Sequence, residues 1–118
     1  MRHILRSYQS GARKRRHEWS LSEGAFVRLT SSDCFYCGSP PAKTFRTGKN
    51  NGEFVYNGID RIDNSRGYVT GNVVACCWIC NQAKKDMSAQ AFMEWIARVA
   101  AYRIVQGSKY QSVFEEDE

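Results

Sequence analysis

Two Cys-x-x-Cys pairs, Cys34/Cys37 and Cys77/Cys80, constrain the fold of this chain more than any other feature of its sequence. Four thiolates form the ligand set of a tetrahedral structural zinc ion. Gly38 follows the first pair and lets the backbone turn around a metal. The pairs therefore predict a zinc ion that joins two distant segments. The alternative, a pair of redox-active motifs, is less typical of a small basic protein.

A metal staple suits a chain of 118 residues, because one small domain has a limited core. Hydrophobic residues make up 42% of the sequence, and we expect one structural domain. The fifth cysteine, Cys76, lies outside the paired pattern and is expected to be a small buried residue. No run approaches the roughly 20 apolar residues of a membrane span, and no signal-peptide core follows the N-terminus. We therefore expect an intracellular, cytoplasmic protein.

The net charge of +5 understates the basic character of the chain, because residues 115–118 are all acidic. Removing those four charges from +5 leaves +9 for residues 1–114. Such a charge predicts a polyanionic partner, above all a nucleic acid. The alternative is a solvated basic surface that keeps a small protein soluble.

Residues 1–33 are predicted to form a basic helical arm. Ser20 has the character of an N-cap for the second helix of this arm, because Glu23 follows three residues later in a capping box. Phe26 and Leu29 would then point inward at helical spacing.

Residues 34–87 form the zinc-stapled part of the chain, in which the sequence predicts a surface loop over 43–52 and one strand over 54–60. Residues 88–107 predict a C-terminal amphipathic helix, whose apolar stripe is either core or a docking surface. The stripe consists of Phe92, Trp95, Ile96, Val99 and Tyr102. Residues 108–118 are acidic, and we expect them to be disordered.

A run of short motifs follows the first cysteine pair. They are residues 58–64 (Gly-Ile-Asp-Arg-Ile-Asp-Asn), 67–68 (Gly-Tyr), 71–74 (Gly-Asn-Val-Val) and 77–84 (Cys-Trp-Ile-Cys-Asn-Gln-Ala-Lys). Together they resemble the motif of the HNH endonuclease family, and a lead-in that contains Tyr8, Arg15-Arg16 and Cys34-x-Tyr36-Cys37-Gly38 resembles phage-type members. The resemblance covers most of residues 8–96.

The resemblance implies an α+β fold: a ββα-metal (HNH, His-Me finger) module with a structural zinc held by four cysteines, flanked by N- and C-terminal helices. The family carries Asp-His at the end of the first strand, Asn in the next loop, and His or Asn at the start of the helix. Asp60, Asn72 and Asn81 match these positions. By this resemblance Asp60 and Asn81 hold a catalytic Mg²⁺ or Mn²⁺, for which their oxygen atoms are suitable ligands, and Asn72 supports the loop.

Arg61 stands where the family has its catalytic histidine. A guanidinium cannot ordinarily accept a proton near neutral pH, so Arg61 is expected to neutralise the scissile phosphate instead. Asp63 lies two residues further on and would share a strand face with Arg61, which makes it a candidate base or a partner of Arg61. His17 is expected to contact a phosphate or the surface rather than to act as the base.

The resemblance predicts a metal-dependent endonuclease that acts on double-stranded DNA and nicks as a monomer, with a homodimer or a second encounter needed for a double-strand break. The residues expected to contact phosphates are Arg13, Lys14, Arg15, Arg16, Arg46, Lys49, Arg66, Lys84 and Lys85. The alternative is a catalytically weak or inactive DNA-binding protein on the same scaffold, such as a packaging accessory or a regulatory or anti-defence factor.

Overall fold

The computed structural model describes residues 1–46 and 53–107, and the acidic segment 108–118 and most of the predicted loop lie outside them. The helices are α1 (Arg2–Lys14), α2 (Glu23–Thr30), α3 (Trp78–Lys84) and α4 (Ala89–Val105), and the strands are β1 (Lys43–Arg46), β2 (Glu53–Tyr56), β3 (Gly58–Arg61) and β4 (Val73–Cys76). Helices together with two small antiparallel sheets confirm the α+β class. No helix in the described ranges combines the length and apolar character needed to cross a bilayer.

The sheets are two separate antiparallel hairpins, β1 with β2 and β3 with β4. In the second hairpin Asp60 lies opposite Val74, and Arg61 lies opposite Val73 at the end of the strand. Helix α3 begins two residues after β4 ends. The order β3, β4, α3 is the two-strand-and-helix unit that the resemblance implies.

The prediction of one continuous strand over 54–60 is wrong, because the chain turns at Asn57 and its two halves enter different sheets. Asn57 is 2% exposed, and its side-chain amide donates to the carbonyl oxygens of Ser32 and Ser39 at 2.9 and 3.3 Å. Hydrogen bonds to a distant segment, which local periodicity does not reveal, fix this break. The start of the predicted loop is also wrong, since residues 43–46 form β1.

The predicted N-cap of α2 is wrong by two residues. Ser22 caps the helix, and its Oγ accepts a hydrogen bond from the Ala25 N–H at 3.1 Å. Ser20 instead donates its backbone N–H to the carbonyl of Tyr68 at 3.0 Å, beside an isolated parallel bridge between Trp19 and Tyr68. Because this segment pairs with Tyr68, the helix begins only after it.

The bridge at Tyr68 holds the N-terminal arm against the β3–β4 hairpin. The Tyr68 N–H donates to the Glu18 carbonyl at 2.7 Å, which closes the pairing from the other side. A side chain at Gly67 would overlap the backbone of Glu18, so the approach requires glycine. The main core cluster lies at this junction and contains Ile4, Leu5, Ala12, Leu21, Phe26, Tyr56, Ile59, Tyr68 and Val73.

A second buried cluster contains Cys34, Cys76, Cys80 and Phe92. Cys76 is 1% exposed, which confirms the prediction of a small buried residue. Phe92 is the only member of the predicted apolar stripe of α4 that is buried, and the others are at least 42% exposed. The stripe therefore serves as core only near the start of α4.

The position of Phe26 predicts a large effect of truncation. Its ring is fully buried and lies 5.6 Å from the Tyr8 ring and 6.0 Å from the Trp19 ring, between centroids. Phe26→Ala is expected to lower the free energy of unfolding by about 3–5 kcal/mol in chemical denaturation. Val27→Ala, at the neighbouring exposed position, should lower it by less than about 1 kcal/mol. Equal losses in the two variants would contradict this packing.

Candidate active site and metal centre

The four paired cysteines converge on one point. Their Sγ atoms all lie within 4.8 Å of one another, and the Sγ atoms of Cys37 and Cys77 are 3.7 Å apart. A tetrahedral zinc ion with bonds of about 2.3 Å to sulfur requires sulfur atoms about 3.8 Å apart. The cluster therefore has the ligand type and the spacing to hold a zinc ion.

Hydrogen bonding favours the thiolate at one member of the cluster. Hydrogen bonds from Ser39, whose Oγ lies 3.2 Å from the Cys37 Sγ, lower the pKa of Cys37 to about 6. Burial raises the pKa of both Cys76 and Cys80 above the usual range of a thiol. The position of Cys76 outside the cluster, and not its pKa, therefore distinguishes it from the four ligands.

Asp60 lies on the face of β3 that meets α3. Its Oδ2 accepts a hydrogen bond from the Tyr36 hydroxyl at 2.7 Å and lies 3.1 Å from the Lys84 Nζ. The same Nζ donates to Asp60 Oδ1 and to the Arg61 carbonyl, each at 3.3 Å. Burial and the Asp60 carboxylate raise the pKa of Tyr36, so its phenol remains the donor. Asp60 is thus held in one orientation by partners on two sides.

The prediction that Lys84 contacts a phosphate from the surface is wrong. Lys84 is 0% exposed, and a buried ammonium is tolerated only when it is paired, here with Asp60. A sequence signal for this existed, since Lys84 lies three residues after Asn81 and four after Cys80 on one helix face. Lys85, the next residue, is exposed.

The other basic residues predicted to contact phosphates are exposed wherever the structure describes their side chains. They are Arg13, Lys14, Arg15, Arg16, Arg66 and Lys85. Lys49 and the side chain of Arg46 lie outside the described part of the chain. That these exposed residues contact DNA phosphates stays a prediction.

Arg61 points to the opposite face of β3 from Asp60, toward the N-terminal arm. Its Nη1 donates to the carbonyl oxygens of Asn64 and Arg66 at 2.8 and 2.9 Å, and its guanidinium lies 5.6 Å from the centre of the Tyr68 ring. Arg61 therefore clamps the turn that follows β3.

His17 lies beside Arg61, with its Nδ1 3.5 Å from the Arg61 Nη1. Desolvation and the charges of Arg61 and Arg15 lower the pKa of His17 below its usual value, which favours a neutral imidazole. The sequence did not predict His17 as the base, because 44 positions separate it from Arg61. Only the pairing of the arm with Tyr68 brings the two side chains together.

Asp63 and Asn72 organise the loop between β3 and β4. Asn72 is 1% exposed; its Oδ1 accepts from the Asp63 N–H, and its Nδ2 donates to the carbonyl oxygens of Asp63 and Gly67. These bonds are those of a residue that supports the loop. Asp63 does not share a strand face with Arg61, because β3 ends at Arg61 and the Asp63 carboxylate instead accepts hydrogen bonds from Ser65.

An open, polar cavity of about 340 Å³ lies beside His17, which contacts Arg61. Arg16, His17, Glu18, Ser65 and Arg66 contribute to its walls. The backbone of Arg16 has a φ of 61°, a conformation that is unfavourable for a residue with a side chain and is typical of functional positions. The cavity has the charge and the hydrogen-bond donors to receive an anion.

The residues proposed to hold the catalytic ion suit a hard divalent cation. Among the described residues, Asp60 Oδ1 accepts a hydrogen bond from Lys84 alone, which leaves it a lone pair for a metal. Asn81 is half-buried in the first turn of α3 and supplies an amide oxygen. Carboxylate and amide oxygens are the donors that Mg²⁺ and Mn²⁺ prefer.

The structure is similar to that of the rare-cutting HNH restriction endonuclease PacI, with a TM-score of 0.59 at 21% sequence identity. The similarity covers 89% of this chain and 80% of that one. This chain has the HNH fold. The architecture inferred from the motifs around Asp60, Asn72 and Asn81 is thereby confirmed.

A viral protein is similar to this chain in sequence. The chain is 32% identical over 95 residues to an uncharacterized protein of Acanthamoeba polyphaga mimivirus. These residues cover 80% of this chain and 16% of the viral protein, so the HNH-fold chain matches one part of a much longer relative. No protein-family model matches the chain.

The cysteine cluster predicts that folding depends on zinc. Elemental analysis of the purified protein should find one zinc ion per chain, and Cys77→Ser should lose both the ion and the cooperative thermal transition, because metal binding contributes to the free energy of folding. Cys76→Ala, at the adjacent cysteine outside the cluster, should retain the zinc. A folded, zinc-free Cys77→Ser protein would show that the cluster is not a structural metal site.

Proposed function

We propose that this protein is a metal-dependent endonuclease that hydrolyses phosphodiester bonds in DNA at the end of β3. The observation that carries the proposal is the placement of His17 beside Arg61, which follows the proposed metal ligand Asp60 in β3, on an HNH fold and at the wall of a polar cavity. The neighbour PacI is a restriction endonuclease described as perturbing DNA, which favours DNA as the substrate here.

Asp60 and Asn81 would hold the Mg²⁺ or Mn²⁺ ion. When bound, such an ion polarises the phosphate and stabilises the negative charge that develops on the leaving oxygen. The contribution of the chain is to keep the ligand in place: Tyr36 and Lys84 hold the Asp60 carboxylate from two directions. A side chain fixed in this way loses little conformational freedom when it binds a metal.

His17 is the proposed general base. A base must be able to accept a proton near neutral pH, and a neutral imidazole meets this requirement while Arg61 does not. His17 lies beside the residue that occupies the position of the family's histidine. Asp63 suits the task less well, because its hydrogen bonds to Ser65 lower its pKa and weaken it as a proton acceptor.

Arg61 is proposed to steady the scissile phosphate. Its Nη1 is used for the turn carbonyl oxygens, but a guanidinium carries five N–H donors and keeps its charge. Arg16 and Arg66 line the adjacent cavity and can bind neighbouring phosphates. Such contacts position the DNA without reading its sequence, and they weaken as salt is raised.

One module with one such site would nick a single strand, and a double-strand break would require a second copy. A second candidate function, DNA binding without cleavage, is favoured by one observation: the buried Lys84 already neutralises the charge of Asp60. The two candidates differ in whether the phosphodiester bond is broken.

Supercoiled plasmid incubated with Mn²⁺ tests the proposal. The wild type is expected to produce nicked circles, and Asp60→Asn and Asn81→Ala are each expected to slow nicking by at least about 100-fold, because the first removes the negative charge that would hold the ion and the second removes a ligand oxygen. Asn81→Ala is needed because Asp60→Asn also leaves Lys84 without its counter-charge.

Asp33→Asn, at an exposed position before the first cysteine pair, is the matched control and should nick at the wild-type rate. A wild-type protein that binds plasmid tightly but leaves it supercoiled from mildly acidic to mildly alkaline pH would favour the binding function.

The role of His17 predicts a specific pH profile. Wild-type nicking should fall as the pH drops through the pKa of His17, and because that pKa is lowered, the fall should come below the ordinary histidine range. His17→Gln should reduce the rate by about 10²–10⁴-fold, abolish this limb of the profile and leave DNA affinity nearly unchanged. His3→Gln, at the other histidine, is the control. A loss of DNA affinity with an unchanged rate would show that His17 only contacts phosphate.

A further inference from the structure

The pair of Lys84 and Asp60 is the feature of the site that metal-dependent cleavage alone does not require. Lys84 is 0% exposed and Asp60 is 8% exposed, so water screens the interaction little. The ammonium lies 3.1 Å from one carboxylate oxygen and 3.3 Å from the other. Any cation that binds this carboxylate therefore has the Lys84 charge as a close neighbour.

The net charge around the proposed metal site does not favour binding of a cation to the free protein. Asp60 supplies one negative charge, Lys84 cancels it, and the Asn81 amide is neutral. On the other face of β3 the Arg61 guanidinium adds a positive charge. The Tyr36 hydroxyl donates a hydrogen bond to Asp60 and adds no negative charge. A divalent ion at this site lacks the negative charge that would hold it.

A phosphodiester of DNA supplies the missing charge. Its oxygens are hard ligands for Mg²⁺ or Mn²⁺, so a phosphodiester bound at Asp60 would bring both negative charge and metal ligands to the ion. We infer that Lys84 makes binding of the catalytic ion depend on bound DNA, so that metal and nucleic acid bind cooperatively and the free protein binds the ion weakly. The inference rests on the proposed metal site at Asp60 and Asn81.

Lys84 has a second effect that follows from the same contacts. Because its ammonium supplies the counter-charge of Asp60, the buried carboxylate does not depend on the catalytic metal for its stabilisation. The fold should therefore require zinc at the cysteine cluster but not the catalytic ion. Lys84 is in this sense a positioning residue, which acts on the ion through Asp60.

Linkage gives a test on the unaltered protein. Coupling of two ligands is reciprocal, so DNA should tighten metal binding by the same factor as metal tightens DNA binding. Ca²⁺ titrated into zinc-loaded protein with a short DNA duplex, followed by fluorescence anisotropy, should strengthen DNA binding on the order of tenfold. Mn²⁺ binding followed by electron paramagnetic resonance should be weak without DNA. Tight Mn²⁺ binding to the DNA-free wild type would overturn the inference.

Lys84→Met tests the residue itself, with Lys43→Met, at an exposed lysine of β1 that is outside the set proposed to contact phosphates, as the matched control. Without DNA, Lys84→Met is expected to bind Mn²⁺ on the order of tenfold more tightly than the wild type and to show smaller coupling to DNA. Its thermal midpoint in buffer without Mn²⁺ should fall, and added Mn²⁺ should raise that midpoint more than in the wild type. Lys43→Met should match the wild type in each of these measurements.

Weaker or unchanged Mn²⁺ binding in a folded Lys84→Met protein would overturn the inference. The outcome is separable from that of the proposed function, because these measurements need no cleavage. A protein that nicks DNA but shows no coupling refutes only the inference, and one that shows the coupling but never nicks refutes only the proposed activity.

Discussion

The cluster of Cys34, Cys37, Cys77 and Cys80 ties the loop after α2 to the start of α3, and the rest of the site depends on this tie. Helix α3 has only seven residues, too few to be stable by itself. Cys77 caps it, and its Sγ accepts a hydrogen bond from the Cys80 N–H. The helix carries Asn81 and Lys84, so a metal ion at the cluster would set the position of both against β3.

The second constraint is the docking of the N-terminal arm on Tyr68. Two backbone hydrogen bonds on either side of Trp19, and the absence of a side chain at Gly67, let the arm approach the hairpin closely. The consequence for chemistry is the position of His17, which is held beside Arg61 by this docking. The basic arm thereby places a titratable group beside Arg61.

Adjacent residues of β3 serve different purposes because side chains alternate between the faces of a strand. Asp60 meets Lys84 and Tyr36 on the helix side, and Arg61 meets the turn carbonyl oxygens and His17 on the arm side. In the proposed mechanism Arg61 does not act as the base; it holds the turn after β3 and binds phosphate. His17, from another part of the chain, would accept the proton.

The sequence by itself determined which four cysteines meet, because paired cysteines at this spacing are typical of a zinc site, and its resemblance to the HNH motif implied the ββα unit and the loop position of Asn72. It did not determine where β2 ends and β3 begins, since long-range bonds of Asn57 cause that break. Only the tertiary structure decided that Lys84 is buried against Asp60 and that His17 lies beside Arg61. Both are contacts between segments far apart in sequence. Burial decides whether a charged side chain faces solvent or pairs with an internal partner, and it depends on how the whole chain packs.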